Sequence, residues 1–272
     1  MSLIDPASVP PLAERYPRAP GRFRHNLAAD QSFALAAVTK AGRALPERHI
    51  TYWGETSSAN GTALAPPASV LAAGGQGPRG IRLSAIQQLP PYRALLTRLL
   101  AELGPILTRA TGPVHNLGAD VLIAWSSMRT SMHFAARYML LFQISGDRLL
   151  AAYPPTPPFL DLARREAYQC AGEDRLEWQP DFAMAGEQHV LEAGDGLFMP
   201  HAAPHWVHSG DGPSVALAVS WQCRRTRAEA DALALNPVLR RMGLTPYDPA
   251  TSPAAPLLRA AASRVGRRIG LM

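Results

Sequence analysis

Hydrophobic positions keep one period in the first part of this chain and another in the rest. From Tyr92 onward, Leu95, Leu96, Leu99, Leu100, Leu103, Ile106 and Leu107 recur at helical spacing, which places them on one face. The spacing predicts an amphipathic helix lying against a sheet. Upstream, a proline-rich arm runs to about Arg24. Asp30 or Ser32 is placed to cap a helix whose buried side begins with Phe33, Leu35, Ala37 and Val38 and which stops by Leu45. Residues 49–53 alternate as a strand does, while 54–80, loaded with Ser, Ala, Pro and Gly, read as a long irregular connection. After Gly112 the texture changes to short β-type runs at 119–126, 138–145, 148–153, 188–192, 196–200 and 214–221, separated by turn residues. Residues 154–181 interrupt them with a proline run, a short helix near 160–168 and a polar loop.

That cadence suits a double-sheet jelly roll. The expected class is α+β: a double-stranded β-helix core at 112–225, an N-terminal arm with a helical and strand segment at 1–111 packing on it, and a C-terminal helical extension at 226–272. A chain of 272 residues that is 47% hydrophobic can bury one large core. No apolar run approaches the roughly 18 residues of a spanning helix, and the first residues lack the basic-then-apolar order of a secretion signal. A soluble, cytoplasmic protein is expected.

Composition narrows the partners. The formal charge of +6 is almost wholly arginine, Lys40 being the only lysine. The arginines are scattered rather than gathered on a recognition motif, so no nucleic-acid partner is expected. Cys170 and Cys223 have no metal-ligand spacing and describe no disulfide framework, so both are read as free thiols. Near the end, Leu257, Ala261, Val265 and Ile269 form a stripe with Arg259, Arg264, Arg267 and Arg268 mostly opposite. This basic amphipathic helix is expected to pack on its own domain or on a second subunit of a homodimer, in preference to a membrane surface.

Two strand-like segments each carry a histidine beside a turn, His133 and His205. A small barrel brings such imidazoles onto one ion, although either histidine alone is more often structural. His201 and His208 flank His205 and are read as rim or surface residues. His189 is ambiguous, and His115 and His25 fall in loops. Trp125, Trp206 and Trp221 are expected to line the barrel or its mouth.

From about Pro91 onward the chain resembles bacterial JmjC or cupin-like proteins of the iron(II)/2-oxoglutarate oxygenase superfamily. The likeness rests on linked motifs: Thr130, His133, Gln143-Ile144-x-Gly146, Arg148 and Pro154-Pro155, then Leu191, Gly194-Asp195-Gly196, Pro200 and Pro204-His205-Trp206-Val207, and a tail from Asn236 to Leu244. The resemblance implies that His133 and His205 hold iron(II). It implies that Arg148, in place of a lysine, and the Thr130 hydroxyl grip the far carboxylate of 2-oxoglutarate, whose charge cannot be buried unpaired. Ser220 takes a position where an amide can occur, and Met139 one that often carries asparagine.

The family's His-x-Asp is here His133-x-Ala135. Losing that carboxylate vacates a coordination position. The resemblance then implies oxidation of an unactivated C–H bond in a small-molecule or peptide substrate, with three versions. Chloride fills the vacancy beside Ala135 and the protein halogenates; the site is impaired and serves binding or regulation; or Asp147, Glu187 or Asp120, or another histidine, supplies the ligand from elsewhere.

Overall fold

The computed structural model describes residues 2–53 and 79–249; most of the expected connection at 54–80 and the whole basic helix beyond Pro256 lie outside these ranges. In chain order the elements are α1 (Val9–Arg15), β1 (Gly21–Arg24), α2 (Leu35–Ala44), β2 (Ile50–Trp53), β3 (Gly80–Leu83), α3 (Pro90–Thr111), β4 (His115–Ala124), β5 (Met128–Arg129), β6 (Tyr138–Ser145) and β7 (Arg148–Ala152). They continue with α4 (Leu162–Ala171), β8 (Glu187–Leu191), β9 (Asp195–Met199), β10 (His205–Ser209), β11 (Ser214–Gln222) and α5 (Arg224–Arg241). Seven strands form one sheet in the order β1-β9-β6-β11-β4-β3-β2, and four form a second in the order β5-β10-β7-β8. Every pairing is antiparallel. The fold is a double-stranded β-helix with helices packed outside, as the strand cadence predicts.

Strand alternation sorts the side chains into three layers. Leu141 of β6, Leu150 and Ala152 of β7, Leu197 and Met199 of β9, and Ala216 and Ala218 of β11 meet between the sheets. Their sequence neighbours Leu140, Phe142, Ile144, Leu217, Val219 and Trp221 point the other way, into a larger core. There α3 supplies Tyr92, Leu95, Leu96, Leu99, Leu103 and Leu107, all buried. The face of the smaller sheet remote from the barrel interior carries Ala151, Tyr153 and Trp206, packed with Phe134, Leu160, Leu176 and Phe182.

Several local expectations need correction. The proline-rich arm holds two elements that its composition does not mark, α1 and β1, and β1 pairs with β9 from Gly21↔Phe198 to Arg24↔Asp195. Asp195 fastens that edge, accepting from Arg24 Nη1 at 2.7 Å and Arg22 Nη2 at 3.2 Å. Gly196 makes room for Phe23, since a Cβ there would sit 2.1 Å from the ring. Asp30 caps only a 3-10 turn, Gln31–Phe33, and α2 starts after it. The turn uses up Phe33, so Leu35 is 56% exposed and Val38 and Ala41 form the buried side.

Other corrections concern rings. His115 opens β4, and His25 is buried against Phe23 and Phe142. Trp221 and Trp125 belong to the larger outer core and Trp206 to the cluster on the smaller sheet, so none of the three lines the barrel interior. Both cysteines are free, Cys170 exposed and Cys223 buried. Among the described residues no helix is long and apolar enough to cross a membrane.

Candidate metal and anion site

Inward parity delivers the site. On β10 the same alternation that turns Trp206 outward turns His205 and Val207 inward, and on β7 it turns Arg148 inward beside Leu150. His133 lies in the connection from β5 to β6 and is joined to His205 as an antiparallel bridge. His133 N donates to His205 O at 2.9 Å and His205 N to His133 O at 2.8 Å. The two ring centroids stand 4.3 Å apart with 53° between planes. Both rings border a cavity of about 210 Å³, along with Thr130, Ala135, Arg137 and Arg148.

The chemistry of the pair is well defined. His133 Nδ1 lies 2.8 Å from the Ser131 carbonyl, and His205 Nδ1 lies 2.9 Å from the Ala203 carbonyl. A carbonyl only accepts, so each ring carries its proton on Nδ1 and keeps the Nε2 lone pair for a ligand. Burial lowers both pKa values. His205 falls to about 3, with the His133 ring as a smaller second cause. Both imidazoles are therefore neutral at pH 7, the form that binds metal.

Among the described residues, no third His, Cys, Asp or Glu joins them in a metal-holding group. Of the carboxylates considered from sequence, Asp147 sits at the turn after β6, against Gly210. Glu187 is paired with Arg15 at 2.6 Å on the surface. Asp120 does border the cavity, but its carboxylate is held by Arg82 and by the Ala85 amide at 3.1 Å. Two imidazoles with their Nε2 atoms free suit iron(II), and the position of the third protein ligand is left to water, a halide or the substrate.

Arg148 is 5% exposed, and no carboxylate lies within ion-pair distance of it among the described residues. Its Nε donates to Ser214 Oγ at 3.1 Å and its Nη2 to Leu122 O at 3.2 Å, both neutral acceptors. Burial alone pulls its pKa down to about 10. A cation kept this deep, with only neutral acceptors, is suited to an anionic ligand. Thr130 Oγ1 accepts from Val207 N at 2.9 Å, which leaves the hydroxyl hydrogen to donate. Met139 contributes an apolar wall, and Ser220 Oγ accepts from Arg137 Nε at 2.9 Å.

Sequence reasoning missed Arg137 and Asp174, both of which border the cavity. The signal for Arg137 is its parity with His133 and Ala135, ending in a charge just before an apolar strand. Asp174 lies in the polar loop and has no comparable signal. His201, expected on the rim, has a side chain only 13% exposed and packs against Tyr138 outside the cavity. His208 is exposed and bonded to Ser127, and His189 is buried on β8.

This architecture is an antiparallel, cupin-like jelly roll with a histidine pair and a buried cation at one end of its inner layer. Among solved structures the chain is similar to the epimerase SnoN crystallised with Fe3+, alpha ketoglutarate and nogalamycin RO, at 17% identity and TM-score 0.50 over 80% of this chain and 85% of that one. It also matches Escherichia coli YcfD, at 15% identity and TM-score 0.49 over 96% of this chain and 67% of that one. No protein-family model and no curated protein matches the sequence.

Proposed function

We propose that this protein binds iron(II) through His133 and His205 and 2-oxoglutarate through Arg148 and Thr130, and oxidises an unactivated C–H bond of a small molecule. The observation that carries the reading is the pairing of two neutral imidazoles, their Nε2 atoms free, with a buried guanidinium that has no carboxylate partner, around one cavity. The chain's own residues bind and orient. The main-chain bridge fixes the ring spacing, the Ser131 and Ala203 carbonyls fix the tautomers, and Met139, Leu141, Leu150 and Ala218 exclude water from the inner end. When bound, the iron and 2-oxoglutarate supply the capacity to reduce dioxygen and take a hydrogen atom from carbon.

A halogen-transferring version is favoured by one specific feature: Ala135 borders the cavity, and no described carboxylate replaces the one it lacks. Anaerobic titration with iron(II) and 2-oxoglutarate tests the parent reading, with a visible metal-to-ligand charge-transfer band as the expected outcome. Its absence, with no 2-oxoglutarate binding, would point to a binding or regulatory protein. Dependence of product on chloride or bromide separates halogen transfer from hydroxylation.

A further inference from the structure

Arg137 sits where the cavity opens outward. The inner cavity and a surface groove of about 420 Å³ share Arg82, Asp120, Arg137 and Ser220 as walls, and Asn116 and Gln87 continue the groove. Of the shared charged groups, Arg82 and Asp120 neutralise each other in an ion pair. Arg137 has no carboxylate within ion-pair distance among the described residues. It is half-buried, and its Nε and Nη2 donate to Ser220 Oγ at 2.9 Å, to Ser220 O at 3.3 Å and to Asn116 O. Those bonds to neutral oxygens clamp one edge of the guanidinium and leave Nη1 without a hydrogen-bond partner among the described residues. A planar donor fork fixed on one side is arranged for an anion on the other.

We propose that Arg137 receives an anionic group carried by the substrate, a carboxylate or a phosphoryl oxygen, entering from the Asn116–Gln87 groove. The charge balance points the same way, and here the inference rests on the reading above. With Arg82 and Asp120 cancelled, Arg137, Arg148 and a divalent ion bring four positive charges, against three from Asp174 and dianionic 2-oxoglutarate. An aspartate at position 135 would close that balance within the protein. With Ala135 there, either a halide on the ion or an anionic group on the substrate would supply the missing negative charge, and Arg137 stands on the wall through which a substrate's charge would enter.

Ligand-observed NMR of the full-length protein tests this, with acetate, methyl phosphate and acetamide as probes and 2-oxoglutarate present to occupy Arg148. Saturable binding of acetate or methyl phosphate, with none for acetamide, is the expected result, and the anion preferred tells a carboxylate substrate from a phosphorylated one. Arg137→Gln should weaken that binding by at least about tenfold and Arg137→Lys by less. Acetamide binding as well as acetate, neither anion binding, or an affinity unchanged in Arg137→Gln would overturn the proposal. Should Arg137→Gln fail to fold, the wild-type comparison with acetamide and the Arg137→Lys variant decide. Loss of 2-oxoglutarate binding in Arg148→Gln reports separately on the metal and cosubstrate reading. Binding of acetate that depends on Arg137 in a protein unable to bind 2-oxoglutarate would sustain the anion site and remove the oxygenase.

Discussion

Replacing Arg148 by methionine should make the ligand-free protein more stable and, by the same change, unable to bind 2-oxoglutarate. Burial holds the Arg148 pKa at about 10 against 12.5, and at about 1.4 kcal/mol per pH unit the charged form costs the fold about 3 kcal/mol. Methionine removes that cost and fills similar space, but forfeits two hydrogen bonds, each worth roughly 1 kcal/mol. Of the two acceptors, Ser214 Oγ keeps the Gln143 Nε2 donor at 2.9 Å. The balance is a gain of about 1 kcal/mol, or roughly 2 to 4 °C in Tm for a domain of this size. On the ligand side, truncating one partner of a buried charge pair costs about 2 to 5 kcal/mol, roughly 30-fold to several thousand-fold in Kd. Thermal unfolding with and without 2-oxoglutarate under anaerobic manganese(II) reads both effects. The wild type should gain Tm with ligand, by linkage, whereas the variant should start higher and gain nothing. A variant that starts lower and still responds to 2-oxoglutarate would refute the receptor argument.

Further expectations follow from other contacts. Ala135→Asp should tighten manganese(II) binding by about tenfold or more, read by anaerobic titration, and should abolish any halide dependence of the product; unchanged affinity would show that position 135 does not face the ion. His25, buried against Phe142, is held neutral with its pKa lowered to about 4 from 6.5 by burial. The unfolded chain takes up a proton below 6.5 where the native state does not, so stability should fall as pH drops from 6.5 towards 4, by about 3 kcal/mol from this group alone. His133, His189 and His201 are shifted in the same direction, and urea midpoints that stay level between pH 7 and pH 4.5 would contradict the burial account. Gly196→Ala should lower the unfolding free energy read from urea titration by about 1 to 3 kcal/mol, because its Cβ would stand 2.1 Å from Phe23 and displace that ring; an unchanged unfolding free energy would refute the close packing of β1 on β9.

What the sequence discloses and what it hides divide along physical lines. The strands of the jelly roll are legible because each is flanked by turn residues and buried on at least one face, and β6 begins and ends where its apolar run does. His133, His205 and Arg148 are marked in the sequence because each falls in a short motif that carries the family resemblance, and the fold brings all three to one cavity. β1 and β3 have four residues each and depend on pairing with distant strands, through Asp195 and the Gly196 cavity at one edge and β4 at the other. β1 lies in the proline-rich arm and β3 ends a Gly- and Pro-rich stretch, so neither shows the alternation that marks the equally short β2. Arg137 escaped notice because its clamp is tertiary: Asn116 and Ser220 are brought to it by β4 and β11, and nothing near position 137 announces them.

The reciprocal main-chain bonds between His133 and His205 mean that the cradle is cast before any ion arrives. Ring spacing is inherited from backbone geometry, so stripping the metal should leave the jelly roll intact, unlike a zinc finger that collapses without its ion. On the proposed function, ions of different radius would meet a fixed bite, and selection among them would fall to cellular supply and to the exogenous ligands that complete the shell.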